Sequence, residues 1–118
     1  IIIIGKKITD DCLVAIDVSL NSNFNGINLF NKDFYLHIGE AIFPVSNNFN
    51  NKLIDIGNVY KEEILTMEKT NYLFIFEIPE KYKKSDMFLI YNEEGINKKI
   101  KIEPNSLIIL EVIKKKIV

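Results

Sequence analysis

One stretch constrains this chain more than any other: Asn71 to Pro79, reading Asn-Tyr-Leu-Phe-Ile-Phe-Glu-Ile-Pro. It is apolar, aromatic and β-branched, and a proline stops it. In an extended chain Tyr72, Phe74, Phe76 and Ile78 share one face, and Leu73, Ile75 and Glu77 share the other. The even set is wholly apolar, whereas the odd set ends in a charge. The pattern predicts a strand buried on one face and partly covered on the other. Such a strand needs further strands to pair with and a second layer to cover it.

The rest of the chain supplies them. Residues 1 to 8 open on four isoleucines and read as a first strand. In Cys12 to Leu20, Cys12, Val14, Ile16, Val18 and Leu20 alternate with Leu13, Ala15, Asp17 and Ser19, so polar residues enter on one face only. Asn21 to Asn31 is an Asn-rich loop with the turn dipeptide Asn25-Gly26, and Ile27, Leu29 and Phe30 are expected to dip back to the core. Asp33 to Ile38 is a third strand, with Phe34, Leu36 and Ile38 on one side and Tyr35 and His37 on the other. Gly39-Glu40 turns it into a short return from Ala41 to Val45.

Ser46 to Asn51 is a second Asn-rich loop, and Leu53, Ile54 and Ile56 make a short apolar patch. Val59 to Thr70 fits a fragment of amphipathic helix and a short strand around Ile64 to Met67 about equally. Beyond the central stretch, Glu80 to Asp86 is a charged connector and Met87 to Tyr91 a strand. Asn92-Glu93-Glu94-Gly95 is a turn with glycine where a positive φ falls. Ile96 to Ile102 pairs back, and Leu107 to Ile113 is a last strand. The expected fold is all-β: an immunoglobulin-like antiparallel β-sandwich of about eight to ten short strands, with at most one short helix. A βαβ layout would need helices between the strands.

Length and composition bound the function. The 118 residues allow one domain with one core, residues 1–118, and the absence of an initiating Met suggests a piece excised from a longer protein. Hydrophobic residues are 47% and charged residues 26%, as in an ordinary globular protein. The net charge of −1 gives no global field to hold nucleic acid or an anionic membrane. All fifteen basic residues are lysine, so no bidentate guanidinium fork is offered to phosphate or carboxylate. Ile1 to Ile4 is far short of the about 20 apolar residues that span a bilayer, and no membrane insertion is expected.

No catalytic or ligand signature stands out. His37 is the only histidine and Cys12 the only cysteine, too few for a zinc site and with no base adjacent in sequence to activate the thiol. The five glycines are scattered singly, so there is no phosphate-cradling loop. No cofactor or metal is expected and no residue is nominated as catalytic. Lysines gather at Lys81, Lys83 and Lys84, at Lys98, Lys99 and Lys101, and at Lys114 to Lys116. With Tyr82 and Tyr91 they could face an anion, but outward lysines also protect exposed strands from edge pairing, and that plainer reading is preferred.

Leu13-Val14-Ala15-Ile16-Asp17-Val18-Ser19-Leu20-Asn21, Asp33-Phe34-Tyr35-Leu36, Phe74-Ile75-Phe76-Glu77-Ile78-Pro79 and Leu89-Ile90-Tyr91 together resemble strands of the DUF4352 (telokin-like) domains of Gram-positive bacteria. The resemblance covers roughly residues 12 to 102. It departs at Glu68-Lys69-Thr70, where the family has a proline-glycine turn, at the first strand, and at Leu107 to Val118, which extends beyond the usual end. It implies an immunoglobulin-like sandwich on a secreted protein or lipoprotein, without catalytic residues.

The expectation is therefore a non-enzymatic, extracytoplasmic domain that binds a protein or the cell envelope, or acts as a spacer. Its candidate contacts are loop residues Asn25, Asn28, Asn47, Asn48 and Asn50, because loops on a rigid sandwich carry recognition. Two alternatives stay open: an assembly domain in which Ile1 to Ile4 or Leu107 to Ile113 adds to another subunit's sheet, and a small-ligand domain or enzyme built on a pocket.

Overall fold

A computed structural model describes residues 2–6, 11–46, 60, 64–82, 84–93, 95–103 and 108–112. In chain order the strands are β1 (Ile2–Lys6), β2 (Asp11–Ser22), β3 (Ile27–Asn28), β4 (Phe34–Ile38), β5 (Ala41–Pro44), β6 (Ile64–Leu65), β7 (Thr70–Pro79), β8 (Phe88–Glu93), β9 (Ile96–Lys101) and β10 (Ile108–Val112). The described helical structure is two single 3₁₀ turns, at Asn31–Asp33 and Glu80–Tyr82. The chain is an all-β sandwich.

The Asn71 to Pro79 stretch, expected as the central strand, lies in β7, but the strand paired on both edges is β2; among the named strands β7 pairs with β2 alone, antiparallel and without a break from the Asp11–Pro79 pair to the Leu20–Thr70 pair. The other edge of β2 is shared. β1 pairs antiparallel with its first half, Cys12 to Ala15, and β10 pairs with its second half, Val18 to Ser22. The second sheet has the order β5-β4-β8-β9, all antiparallel. β10 is an addition that crosses back to the first sheet.

β10 also corrects the expectation of a purely antiparallel fold, because it runs parallel to β2. After β9 the chain returns to the first sheet beside β2, whose antiparallel slot is filled by β1 only over the first half of the strand. A second correction concerns Phe30. It precedes the 3₁₀ turn at Asn31–Asp33 and is 42% exposed, whereas Leu29 is fully buried and Ile27 packs partly against the core. The turn closes by the Asp33 N–H donating to the Phe30 carbonyl at 3.0 Å, which holds Phe30 at the surface.

Between the sheets lies one large core. Val14, Ile16, Val18 and Leu20 of β2 and Tyr72, Phe74, Phe76 and Ile78 of β7 meet Phe34, Leu36 and Ile38 of β4 and Leu89 and Tyr91 of β8. A column of rings ties the layers together. Tyr60 meets Tyr72 edge-on at 5.1 Å and stacks on Phe74 at 4.9 Å; Phe74 lies 4.7 Å from Phe34, and Phe34 stacks on Tyr91 at 4.9 Å. Each such pair contributes about 0.5–1.5 kcal/mol beyond the burial itself. The odd-numbered face of β7 is also covered: Leu73 and Ile75 form a smaller buried cluster with Leu13 and Ala15 of β2. Glu77, half-buried, accepts a hydrogen bond from the Ser46 hydroxyl at 3.1 Å.

Three described residues between β5 and β6, Val45, Ser46 and Tyr60, bond to β7. Val45 bridges to Phe76, and the Ser46 and Tyr60 amides donate to the carbonyls of Ile75 and Leu73. Leu53, Ile54 and Ile56 lie outside the described residues, as does Cys12's side chain environment. Truncation of the shared ring of the column is the sharpest test of this packing. Phe74→Ala should cost about 3–5 kcal/mol in urea unfolding. Ile96→Thr, at a position 70% exposed, should stay within about 0.5 kcal/mol.

Candidate functional surfaces

Two surfaces stand out, one at an end of the sandwich and one on a sheet face. At the end, the chain leaving β2 is bound to the β6–β7 connection by a set of backbone and side-chain bonds. The Ser22 N–H donates to the Thr66 carbonyl at 2.9 Å, and the Gly26 N–H to the Leu65 carbonyl at 2.9 Å. The buried Ser22 hydroxyl donates to the Phe24 carbonyl. Asn25 accepts the Met67 N–H on its Oδ1 at 2.9 Å. β3 and β6 add a two-pair ladder, Ile27 with Leu65 and Asn28 with Ile64. Gly26 holds φ at +86°, which a side chain would oppose.

This network changes what the candidate asparagines do. Asn25 and Asn28 sit at the surface, but Asn25 holds one loop to the other and Asn28 belongs to a ladder. Large apolar side chains also face solvent here, beside the exposed Thr66, Glu68 and Lys69: Phe24 at 38%, Ile64 at 62% and Met67 at 60% exposure. Their surface position was invisible in sequence, where Ile64 and Met67 belong to the segment that fits helix and strand equally. Asn47, Asn48 and Asn50 lie outside the described residues.

The second surface is the outer face of the β5-β4-β8-β9 sheet. Pairing places Tyr35 opposite both Pro44 and Ile90, and Ile90 opposite Lys99; the next row runs Ile42, His37, Phe88, Lys101. A hollow of about 460 Å³ opens here, lined by Tyr35, His37, Ile42, Ile90, Asn97 and Lys99. Ile90 is its buried floor, while Ile42, Asn97 and Lys99 are exposed at its rim. The Lys99 ammonium lies 4.3 Å from the centre of the Phe88 ring. Alternation along each strand had placed Tyr35 and His37 on one face, but a hollow shared by four strands depends on their register.

Among the described residues no group of three or more His, Cys, Asp or Glu could hold a metal ion. No described helix is long and apolar enough to cross a membrane. No protein-family model matches the chain, nor does any curated protein or solved structure.

The loop network yields a graded expectation. Asn25→Ala should lower the unfolding free energy by about 0.5–1.5 kcal/mol, the worth of one hydrogen bond. Gly26→Ala should cost about 1–2 kcal/mol through its left-handed backbone. Denaturant titration of both variants checks the order.

Proposed function

We propose that this domain is a non-enzymatic recognition module that binds a protein partner through the loop-bearing end of the sandwich. One observation carries the reading. Phe24, Ile64 and Met67 are large apolar side chains left exposed on a loop pair that hydrogen bonds hold in place. A pre-ordered apolar tip loses little conformational entropy on binding and provides anchors of the kind that dominate interfaces. The sequence resemblance to DUF4352 (telokin-like) domains supports the same class of role and a proposed location outside the cytoplasm, at the cell envelope or secreted.

Assembly through strand addition has less support. Ile2–Lys6 and Ile108–Val112 are both paired with β2 of their own chain, so each of these strands already has one edge occupied within the fold. Light scattering at millimolar concentration should report a monomer.

A photo-crosslinking residue tests the recognition surface. Placed at Met67 in the native host, it should capture a defined partner. At Lys84, also exposed, it should not. Phe24→Ser combined with Met67→Ser should abolish capture by a third crosslinker at Ile64 while leaving the melting temperature within a few degrees. Equal capture from Lys84, or capture unaffected by the double substitution, contradicts the proposal.

A further inference from the structure

We infer that the hollow on the outer face of the β5-β4-β8-β9 sheet is a binding site for a small amphipathic carboxylate, an apolar body carrying one carboxyl group. Its lining divides by chemistry. Ile90 forms an apolar floor and Ile42 an apolar rim, with the rings of Tyr35 and His37 beside them. Every polar side chain of the lining, namely Tyr35, His37, Asn97 and Lys99, can donate a hydrogen bond, and no carboxylate lines the hollow.

Two details sharpen that polarity. First, Asn97 is oriented by its neighbours. The Gly95 N–H donates to Asn92 Oδ1 at 3.1 Å, so Asn92 turns its Nδ2 toward Asn97 and donates to Asn97 Oδ1 at 2.8 Å. The acceptor of Asn97 is thereby used, and its amide nitrogen remains to donate. Second, β9 carries three lysines, of which two are close to carboxylates: Lys98 lies 3.6 Å from Glu93, and Lys101 lies 3.7 Å from Glu103. Lys99 instead rests over the Phe88 ring at the hollow's rim. The one lysine of this strand that lines the hollow is the one with no described carboxylate beside it.

Four groups able to donate, one of them a cation, beside an apolar floor and with no carboxylate in the lining favour an anion with an apolar body. A neutral apolar molecule would leave the donors unused, and a small inorganic anion would leave the floor uncovered. The site lies on a different surface from the loop tip and does not depend on the recognition proposed there.

The test uses the whole chain and three probes: 3-phenylpropanoate, 3-phenylpropan-1-ol and inorganic phosphate. Amide chemical shifts followed by NMR should move at Tyr35, His37, Ile90 and Lys99 on adding the carboxylate. The carboxylate should bind about tenfold more tightly than the alcohol, the worth of one charge-assisted hydrogen bond. Lys99→Met keeps the aliphatic stem and should erase that preference. Asn97→Asp is nearly isosteric, replaces the donor with an anion, and should weaken the carboxylate at least as much. Ile42→Ser should weaken carboxylate and alcohol alike. Phe24→Ser with Met67→Ser should change nothing at this site. The inference is overturned by no shifts up to about 10 mM carboxylate, a concentration that would detect even weak binding. It is equally overturned by equal affinity for the alcohol, by phosphate binding as tightly as the carboxylate, by a Lys99→Met protein that keeps the preference, or by shifts elsewhere on the surface.

Discussion

The two four-stranded sheets of this molecule are held in register by a column of rings. Tyr60, Phe74, Phe34 and Tyr91 follow one another at 4.9, 4.7 and 4.9 Å from the edge of the first sheet into the second. Phe74 sits at the middle of that sequence and in β7, the strand opposite β2 along the longest ladder of the fold. The backbone pairing and the side-chain column therefore meet at one residue. Directional ring contacts do what aliphatic packing alone does less well, since they fix how far one layer can slide over the other.

The outer faces of the two sheets then have different fates. Behind β2 and β7, Leu13, Ala15, Leu73 and Ile75 are buried, while Asp17 and Asn71 on the same face are exposed. The outer face of β5-β4-β8-β9 keeps Ile42, Asn97 and Lys99 open to solvent around Ile90. The two candidate surfaces lie on that open face and at the loop-bearing end. Both rest on parts that the core makes rigid. The hollow is set by strand register, and the loop tip is fixed by bonds from Ser22, Asn25 and Gly26 to the β6–β7 connection.

Much of the fold was legible because a half-buried strand writes its period of two into the chain. The alternation in Cys12–Leu20, Asp33–Ile38 and Asn71–Pro79 leads directly to β2, β4 and β7. Gly26 and Gly95, read as turn glycines, do take positive φ at +86° and +83°. What a strand pattern does not encode is its partner, so the parallel placement of β10 beside β2 could not be read. Nor can a two-residue strand show a period, which is why β6 looked as much like helix. Phe30 misled for a related reason: hydrophobicity says that burial is favourable, but a local hydrogen-bonded turn decided where the ring points. Of the candidate site residues, Asn25 and Asn28 do lie exposed beside the β6–β7 connection. Asparagines suit tight, hydrogen-bonded connections, and Asn25 is spent on one. The apolar Phe24, Ile64 and Met67 beside it are left exposed. The hollow escaped sequence reading altogether, because Tyr35, Ile42, Ile90 and Lys99 become neighbours only through cross-strand register.

Native-state amide hydrogen exchange, residue by residue, tests the central claim that one cooperative core holds both surfaces in place. Amides paired between β2 and β7 should exchange only through global unfolding. Those of Ser22, Gly26 and Met67 should be clearly protected, with free energies below the global value. Exchange of Gly26 and Met67 at unprotected rates, or of β7 faster than the edge strand β9, would contradict the account.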